Sequence, residues 1–377
     1  MIPLQVGTGV DVLGILTAIA AVIVALVVLL CLLTLGVGLR KRWVDRARTS
    51  TRRSVRGELF ERRRKADPEW GRWIDALDDD QREALETVID RYLRTVSGSE
   101  RDFYVMLAGH LDLGEQAAAA LKSDAVLPRQ RALARLTVLD YEVSPTHLLE
   151  TCVDDQRVRE TAARFLYERR EEYDRAQALG TAFLVWDGSE PLTARGLQTL
   201  YEFNDGNPIP LLSQARWSGT EWRTTVLTQV CDVLEQCQTT ARPEWFEWLL
   251  PLFDAEEPRI RAAAIRAFKQ TGWREELRAD IPFRDLVGDP DPRVRRATYR
   301  VLTYWGDDRA QELLEWAVID ESDARAQLVA VRGLVSLEAD PMGDHPAWPA
   351  QSWDWIRAEI ETTERQRLPR QTGGVFA

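Results

Sequence analysis

Asp291-Pro292-Arg293-Val294-Arg295-Arg296-Ala297-Thr298-Tyr299-Arg300-Val301-Leu302 decides how this chain folds, because it recurs. Glu257-Pro258-Arg259-Ile260-Arg261-Ala262-Ala263-Ala264-Ile265-Arg266-Ala267-Phe268 lies under it one period back. One period forward, Asp323-Ala324-Arg325-Ala326-Gln327 leads to Ala330-Val331-Arg332-Gly333-Leu334. Earlier copies are Asp155 to Leu166, a weaker one at Thr193 to Leu197, and a degenerate one from Trp222 through Gln229 to Cys231. Aligning positions 164, 195, 229, 266, 300 and 332 gives steps of 31, 34, 37, 34 and 32 residues. Fixed-period self-similarity of this length marks a repeat architecture.

Each copy pairs two apolar-periodic helical segments separated by Gly, Pro and Asp breakers. Leu249, Leu250, Leu252 and Phe253 form a first-helix face, and Ile260, Ala263, Ala264, Ala267 and Phe268 a second-helix face. The alanines permit close helix approach. Pro258 and Pro292 suit a first helical turn, with an acidic residue before each as the cap. One such pair cannot bury its own apolar stripe, so neighbours must stack.

The turn acid, the x-[VI]-R-x-x-A stretch and the apolar end of the second helix resemble the HEAT-repeat superfamily, in its short-repeat branch that includes the phycobilisome-lyase type. Trp305-Gly306-Asp307-Asp308-Arg309-Ala310 resembles that family's inter-repeat turn. The resemblance spans residues 123–340. It implies an all-α fold, an α-solenoid of helical hairpins; the uncharged run read below puts a single N-terminal transmembrane helix ahead of it. The resemblance also implies an adaptor rather than an enzyme, with no catalytic residue to carry over. Some membrane-anchored proteins of this type are associated with membrane glycosyltransferases, which makes one a possible partner by resemblance. The competing reading is a lyase-like protein acting on a tetrapyrrole or a modified protein. A sensor is a third, but eleven residues ahead of the apolar run are too few for a receptor domain.

Outside the repeats the chain divides by charge. Its 377 residues hold 49 Lys+Arg, of which only Lys41, Lys65, Lys122 and Lys269 are Lys, against 60 Asp+Glu. Residues 1–66 hold 12 basic and 4 acidic groups, net +8; the remaining 37 basic and 56 acidic groups give net −19. Such an acidic body argues against general nucleic-acid binding.

Residues 12–39 carry no charge, long enough as a helix to cross roughly 30 Å of hydrocarbon. A signal peptide would need a positive start and a shorter run. Leu13 and Leu39 mark the ends of the expected anchor and Trp43 its interfacial ring. The basic segment 40–66 follows, so the positive-inside rule predicts a cell-membrane protein, residues 1–11 outside and the C-terminal domain in the cytoplasm. This segment reads as a topology determinant lying on anionic lipid, with a lipid-specific or nucleic-acid arm as the sharper alternative.

Residues 67–122, with apolar positions on either side of Asp78-Asp79-Asp80, are expected to cap the array. Residues 341–367, with Trp353, Trp355 and Ile356, are expected to close it, ahead of a disordered tail at 368–377. The loop Phe203 to Pro210 reads as a connection between repeats.

The position of Arg164, Arg195, Arg266, Arg300 and Arg332 is Arg in five of six aligned copies. Arg293, Arg296 and Arg300 share one helix side. By the resemblance, second helices line the concave surface, so this ladder is the expected partner-binding face, suited to an acidic or phosphorylated ligand. The alternative is that each Arg pairs with an acid of its own or the next repeat. Arg159, Arg261 and Arg295 read as structural, bonding the turn acids Asp155, Glu257 and Asp291. In Trp245-Phe246-Glu247-Trp248, three near-adjacent aromatics cannot all face inward, so Trp245 and Trp248 are candidate partner contacts. Four scattered cysteines and three distant histidines form no metal pattern, and no phosphate loop is present. The expectation is therefore a protein partner, no cofactor, no metal and no small-molecule substrate; oligomeric state is open.

Overall fold

The computed structural model describes Leu30 and residues 49–65, 67–238, 241–271, 274–337 and 350–367. The expected membrane helix 12–39, with Leu13, Leu39 and Trp43, lies outside these residues but for Leu30, as does the tail 368–377. No helix among the described residues is long and apolar enough to cross a membrane.

Every regular element among the described residues is helical, as expected. Residues 49–63 form α1. There follow α2 (Trp70–Asp75), α3 (Asp79–Leu93), α4 (Ser99–His110), α5 (Leu113–Ala120), α6 (Val126–Leu139), α7 (Pro145–Cys152), α8 (Gln156–Glu168), α9 (Ala176–Leu184) and α10 (Ala194–Asn204). Then come α11 (Ile209–Ser218), α12 (Thr224–Gln236), two 3-10 turns (Pro243–Trp245, Glu247–Asp254), α13 (Pro258–Ala267), a 3-10 turn (Lys269–Thr271), α14 (Glu275–Ala279) and α15 (Phe283–Val287). The last are α16 (Pro292–Trp305), α17 (Asp308–Asp320), α18 (Ala324–Leu337) and α19 (Ala350–Arg367).

The chain divides into two compact units between Gln116 and Ala117. In the first, Asp78 starts α3 with a reciprocal cap: its carboxylate accepts from the Gln81 amide at 2.8 Å, and Gln81 Oε1 accepts from the Asp78 amide at 3.1 Å. Leu85, Val88, Ile89 and Leu93 then fall on one helical face and are buried. Tyr92 of α3 stacks on Tyr104 of α4 with ring centres 4.9 Å apart. Part of the basic segment belongs to this unit: α1 buries Val55 and Leu59, one turn apart, while Arg52, Arg53, Arg56 and Arg63 stay exposed and Arg62 is half-buried.

The second unit repeats a helical pair: α7/α8, α9/α10, α11/α12, the 3-10 turn Glu247–Asp254 with α13, α15/α16 and α17/α18. The second members pack in chain order, α6 on α8, then α10, α12, α13, α16, α18 and α19. This arrangement is consistent with an α-solenoid. One apolar cluster runs through it from Ala117 to Ile356. Ala263, Ala264, Ala297 and Ala330 are buried at the packing faces, as the small-residue pattern predicts.

Side-chain caps mark the starts. Asp155, Thr193, Asp291, Asp307 and Asp323 each accept from a backbone amide in the first turn of the helix that follows. Gly306 closes α16 in the left-handed region at φ 63°, so Trp305 to Ala310 forms the expected turn. The expected connection at Phe203 to Pro210 is shorter than that stretch: only residues 205–208 lie between α10 and α11, while Phe203 and Asn204 end the one helix and Ile209 and Pro210 begin the other. Two expectations need correction. Glu257 makes no side-chain cap. The first-helix face at 249–253 sits on a 3-10 turn, not an α-helix, because Pro251 inside it has no N–H to donate. Leu249 and Phe253 are still buried.

Gly188, between α9 and α10, has φ 59°, and a Cβ there would lie 2.0 Å from Trp222 Cδ1 and 2.9 Å from Trp222 Cα. Its carbonyl also accepts from the Arg223 amide at 3.0 Å. Gly188→Ala therefore meets both left-handed strain of about 1 kcal/mol and overpacking of about 1–3 kcal/mol. The expected outcome is a fall of about 2–4 kcal/mol in stability, read from the urea midpoint followed by tryptophan fluorescence.

Candidate functional site

The second helices carry two rows of Arg with different roles. The inner row is structural, as expected, but its partners are not those expected. Arg261 donates from Nε and Nη2 to both Asp289 oxygens at 2.7 and 2.9 Å, and from Nη1 to the Ala255 carbonyl at 2.7 Å. Arg295 repeats this with both oxygens of Glu321, at 2.8 and 2.6 Å, and with the Asp289 carbonyl at 2.7 Å. Arg159 donates to the Val153 carbonyl at 2.7 Å and to Asp187 at 3.4 Å. Each Arg thus holds its own inter-helix loop by a carbonyl and the next pair's loop by a carboxylate. Asp155 and Asp291 are instead occupied as helix caps. The row ends at Gln327, whose amide donates to the Glu321 carbonyl at 3.1 Å and whose oxygen accepts from Ser352 of α19 at 2.7 Å.

Glu321 shows what this geometry does to charge. Burial pushes its carboxyl up, but Arg295, the Asp323 amide and the Tyr299 hydroxyl outweigh this and hold it below its ordinary value. The Asp291 carboxyl falls to about 2, held chiefly by the Arg293 guanidinium and by the amide it caps.

The outer row has a register the repeat alignment misjudged. Counting from the first residue of each second helix, Arg164 is position 9 of α8, Arg266 position 9 of α13, Arg300 position 9 of α16 and Arg332 position 9 of α18. Position 9 of α10 is Glu202, not Arg195, and of α12 is Asp232, not Gln229. Neighbouring copies of that position pair with each other. Arg164 bonds Glu202 at 2.6 Å across 38 residues, and Arg266 bonds Asp232 at 2.5 Å across 34. Arg332 bonds Glu359 of α19 at 2.6 Å. Arg296 donates to the Pro292 carbonyl at 3.2 Å. Arg195 and Arg300 are exposed and have no ion pair among the described residues.

Phe246 is buried, whereas Trp245 and Trp248 are half-buried against the core, so this cluster does show partial exposure. Larger exposure lies elsewhere: Trp217 at 82%, Trp355 at 65% and Trp316 at 53%. Trp316 belongs to a groove of about 660 Å³ between α15 and α17 that the sequence reading did not find. Ile281, Phe283 and Leu313 give it an apolar floor, and Arg284 and Arg309 line it with Asp285 and Glu312. Neither of these two arginines has an ion pair among the described residues. Its volume falls within the range of ligand clefts in general. Its signal was hidden because α15 is only five residues long.

Among the described residues the thiols are poor nucleophiles: burial pushes Cys231 and Cys237 up to about 12, and raises Cys152 as well. His147 Nε2 lies 3.2 Å from the Ala118 carbonyl. Among the described residues no three His, Cys, Asp or Glu side chains converge as a metal site.

No known protein family matches this chain, and no curated protein matches it. Among solved structures it is similar to an engineered protein from a structural-genomics consortium, at 15% identity over 81% of this chain and 74% of that one, with a TM-score of 0.31.

Proposed function

We propose that this protein is a membrane-anchored, HEAT-like α-solenoid that acts as a non-enzymatic adaptor, holding a protein partner at the cytoplasmic face. The observation that carries this reading is the groove around Trp316. It joins a half-exposed indole to an apolar floor and two arginines, the side-chain types that dominate partner contacts. The exposed Arg195 and Arg300 add charge for an acidic partner, and a membrane glycosyltransferase is one partner class that the sequence resemblance supports. The uncharged stretch 12–39 and the basic residues after it support the anchor and its direction.

The test replaces Trp316 in the full chain, in its native membrane, by a photo-crosslinking amino acid, with Trp217 replaced the same way as control. Trp217 is the more exposed of the two and lies outside this groove. A discrete adduct at position 316, absent at 217 and weakened by Arg309→Glu, is the expected result. Equal, diffuse labelling at both positions would count against an adaptor groove.

A further inference from the structure

In the first unit, α1 and α3 enclose a second concavity of about 270 Å³ lined by Thr49, Arg52, Arg53, Arg56, Thr87, Val88, Arg91 and Tyr92. Four cations meet there, and among the described residues no carboxylate lines it. Arg52, Arg53 and Arg91 have no side-chain hydrogen bond, ion pair or ring contact among the described residues. Arg56 is oriented by the rings beneath it, its guanidinium 5.8 Å from the Phe60 centre and 5.7 Å from that of Tyr92. Charges of one sign this close repel one another unless something neutralises them, and a concave wall focuses their field. Five arginines on the second helices of the other unit each meet an acid instead: Arg159, Arg164, Arg261, Arg266 and Arg295.

We propose that this pocket binds a phosphate-bearing anion, with the guanidinium groups as forked donors to its oxygens. Guanidinium forks match phosphate geometry in a way a single ammonium does not. The volume fits a phosphate headgroup rather than a drug-sized molecule. Two sources supply that chemistry: an anionic lipid headgroup or a soluble phosphate. The lipid source rests on the anchor reading above. Nine residues lie between Leu39 and residue 49, the first described residue of α1, a span of at most about 35 Å of chain, so an anchored chain keeps the pocket near the inner leaflet.

The experiment titrates the full chain in a neutral detergent, by calorimetry, with three probes: inorganic phosphate, dihexanoyl phosphatidylglycerol and dihexanoyl phosphatidylcholine. The double variant Arg53→Gln/Arg91→Gln and the charge-preserving Arg53→Lys/Arg91→Lys are titrated alongside, with Arg170→Gln, an exposed arginine outside both concavities, as a remote control. The expected result is saturable binding of phosphate, of the glycerol lipid, or of both. It falls by roughly tenfold or more in the Gln variant and less in the Lys variant, and is unchanged in the control. Binding of the glycerol lipid without free phosphate assigns a lipid headgroup, and binding of phosphate alone assigns a soluble anion. The proposal is overturned if neither anionic probe binds, if the choline lipid binds equally well, or if the Gln variant binds like the parent. Because the soluble-phosphate arm does not depend on the membrane, a failed anchor reading leaves that arm intact.

Discussion

Arg295→Ala is expected to destabilise the second unit by about 3–5 kcal/mol, among the largest effects available to a single change outside the apolar core. The Glu321 side chain has no exposure, and that of Arg295 only 14%. Removing the guanidinium strips Glu321 of its countercharge and of two short hydrogen bonds. The Tyr299 hydroxyl and the Asp323 amide, each 2.8 Å away, remain as donors but carry no full charge. The variant therefore buries an unpaired carboxylate. The double change Arg295→Met/Glu321→Leu removes both charges and is expected to recover most of the loss, since a well-packed apolar pair can replace a buried ion pair at little cost.

The pH dependence has a definite sign. The Glu321 carboxyl lies below its ordinary value in the folded chain, so its contribution is complete above the unfolded value and disappears as pH falls through the folded one. The gap between parent and Arg295→Ala should thus be full at pH 7 and shrink below the ordinary carboxylate value of 4.5. Urea midpoints at pH 7 and pH 4 check this. A gap that is the same at both would show that Arg295 acts by packing alone.

Phe268→Ala is the second large effect, again about 3–5 kcal/mol. Phe268 is fully buried just past α13, with its ring centre 6.0 Å from Phe246 and 5.9 Å from Phe253. Those two rings come from the turns that replace a first α-helix. Pro251 weakens the local hydrogen-bonded ladder there, so the segment is held by its rings more than by its backbone. Truncating Phe268 opens a cavity beneath both. Phe268→Leu, close in volume, is expected to cost less than about 1.5 kcal/mol. Comparable losses for Ala and Leu in the urea midpoint would contradict the role of the ring cluster.

The repeat was legible because Asp-Pro-Arg and its copies carry cap, first turn and apolar face in one short string. Its register failed in α10, where Ala194-Arg195-Gly196-Leu197 imitates Ala163-Arg164-Phe165-Leu166 later in α8. The cap at Thr193, equivalent to Asp155, would have corrected it and led to Glu202. In α12 no such cue exists, since the residue before the helix, Arg223, makes no side-chain cap. The partners of the inner row were missed for a different reason. Arg261 and Asp289 are 28 residues apart and belong to adjacent pairs, and no local spacing rule reaches across a loop of irregular length. Both concavities were invisible because each is made by two helices, one of them short or previously read only as a charged flank.

Native-state hydrogen exchange, read by mass spectrometry on the full chain and on Arg295→Ala, tests most directly whether each helical pair is held by its neighbour. Stacked pairs joined by the Arg–acid row predict that α16 and α18 lose protection together in the variant while α8 keeps its own. Loss confined to α16, with α17 and α18 exchanging as in the parent, would contradict it.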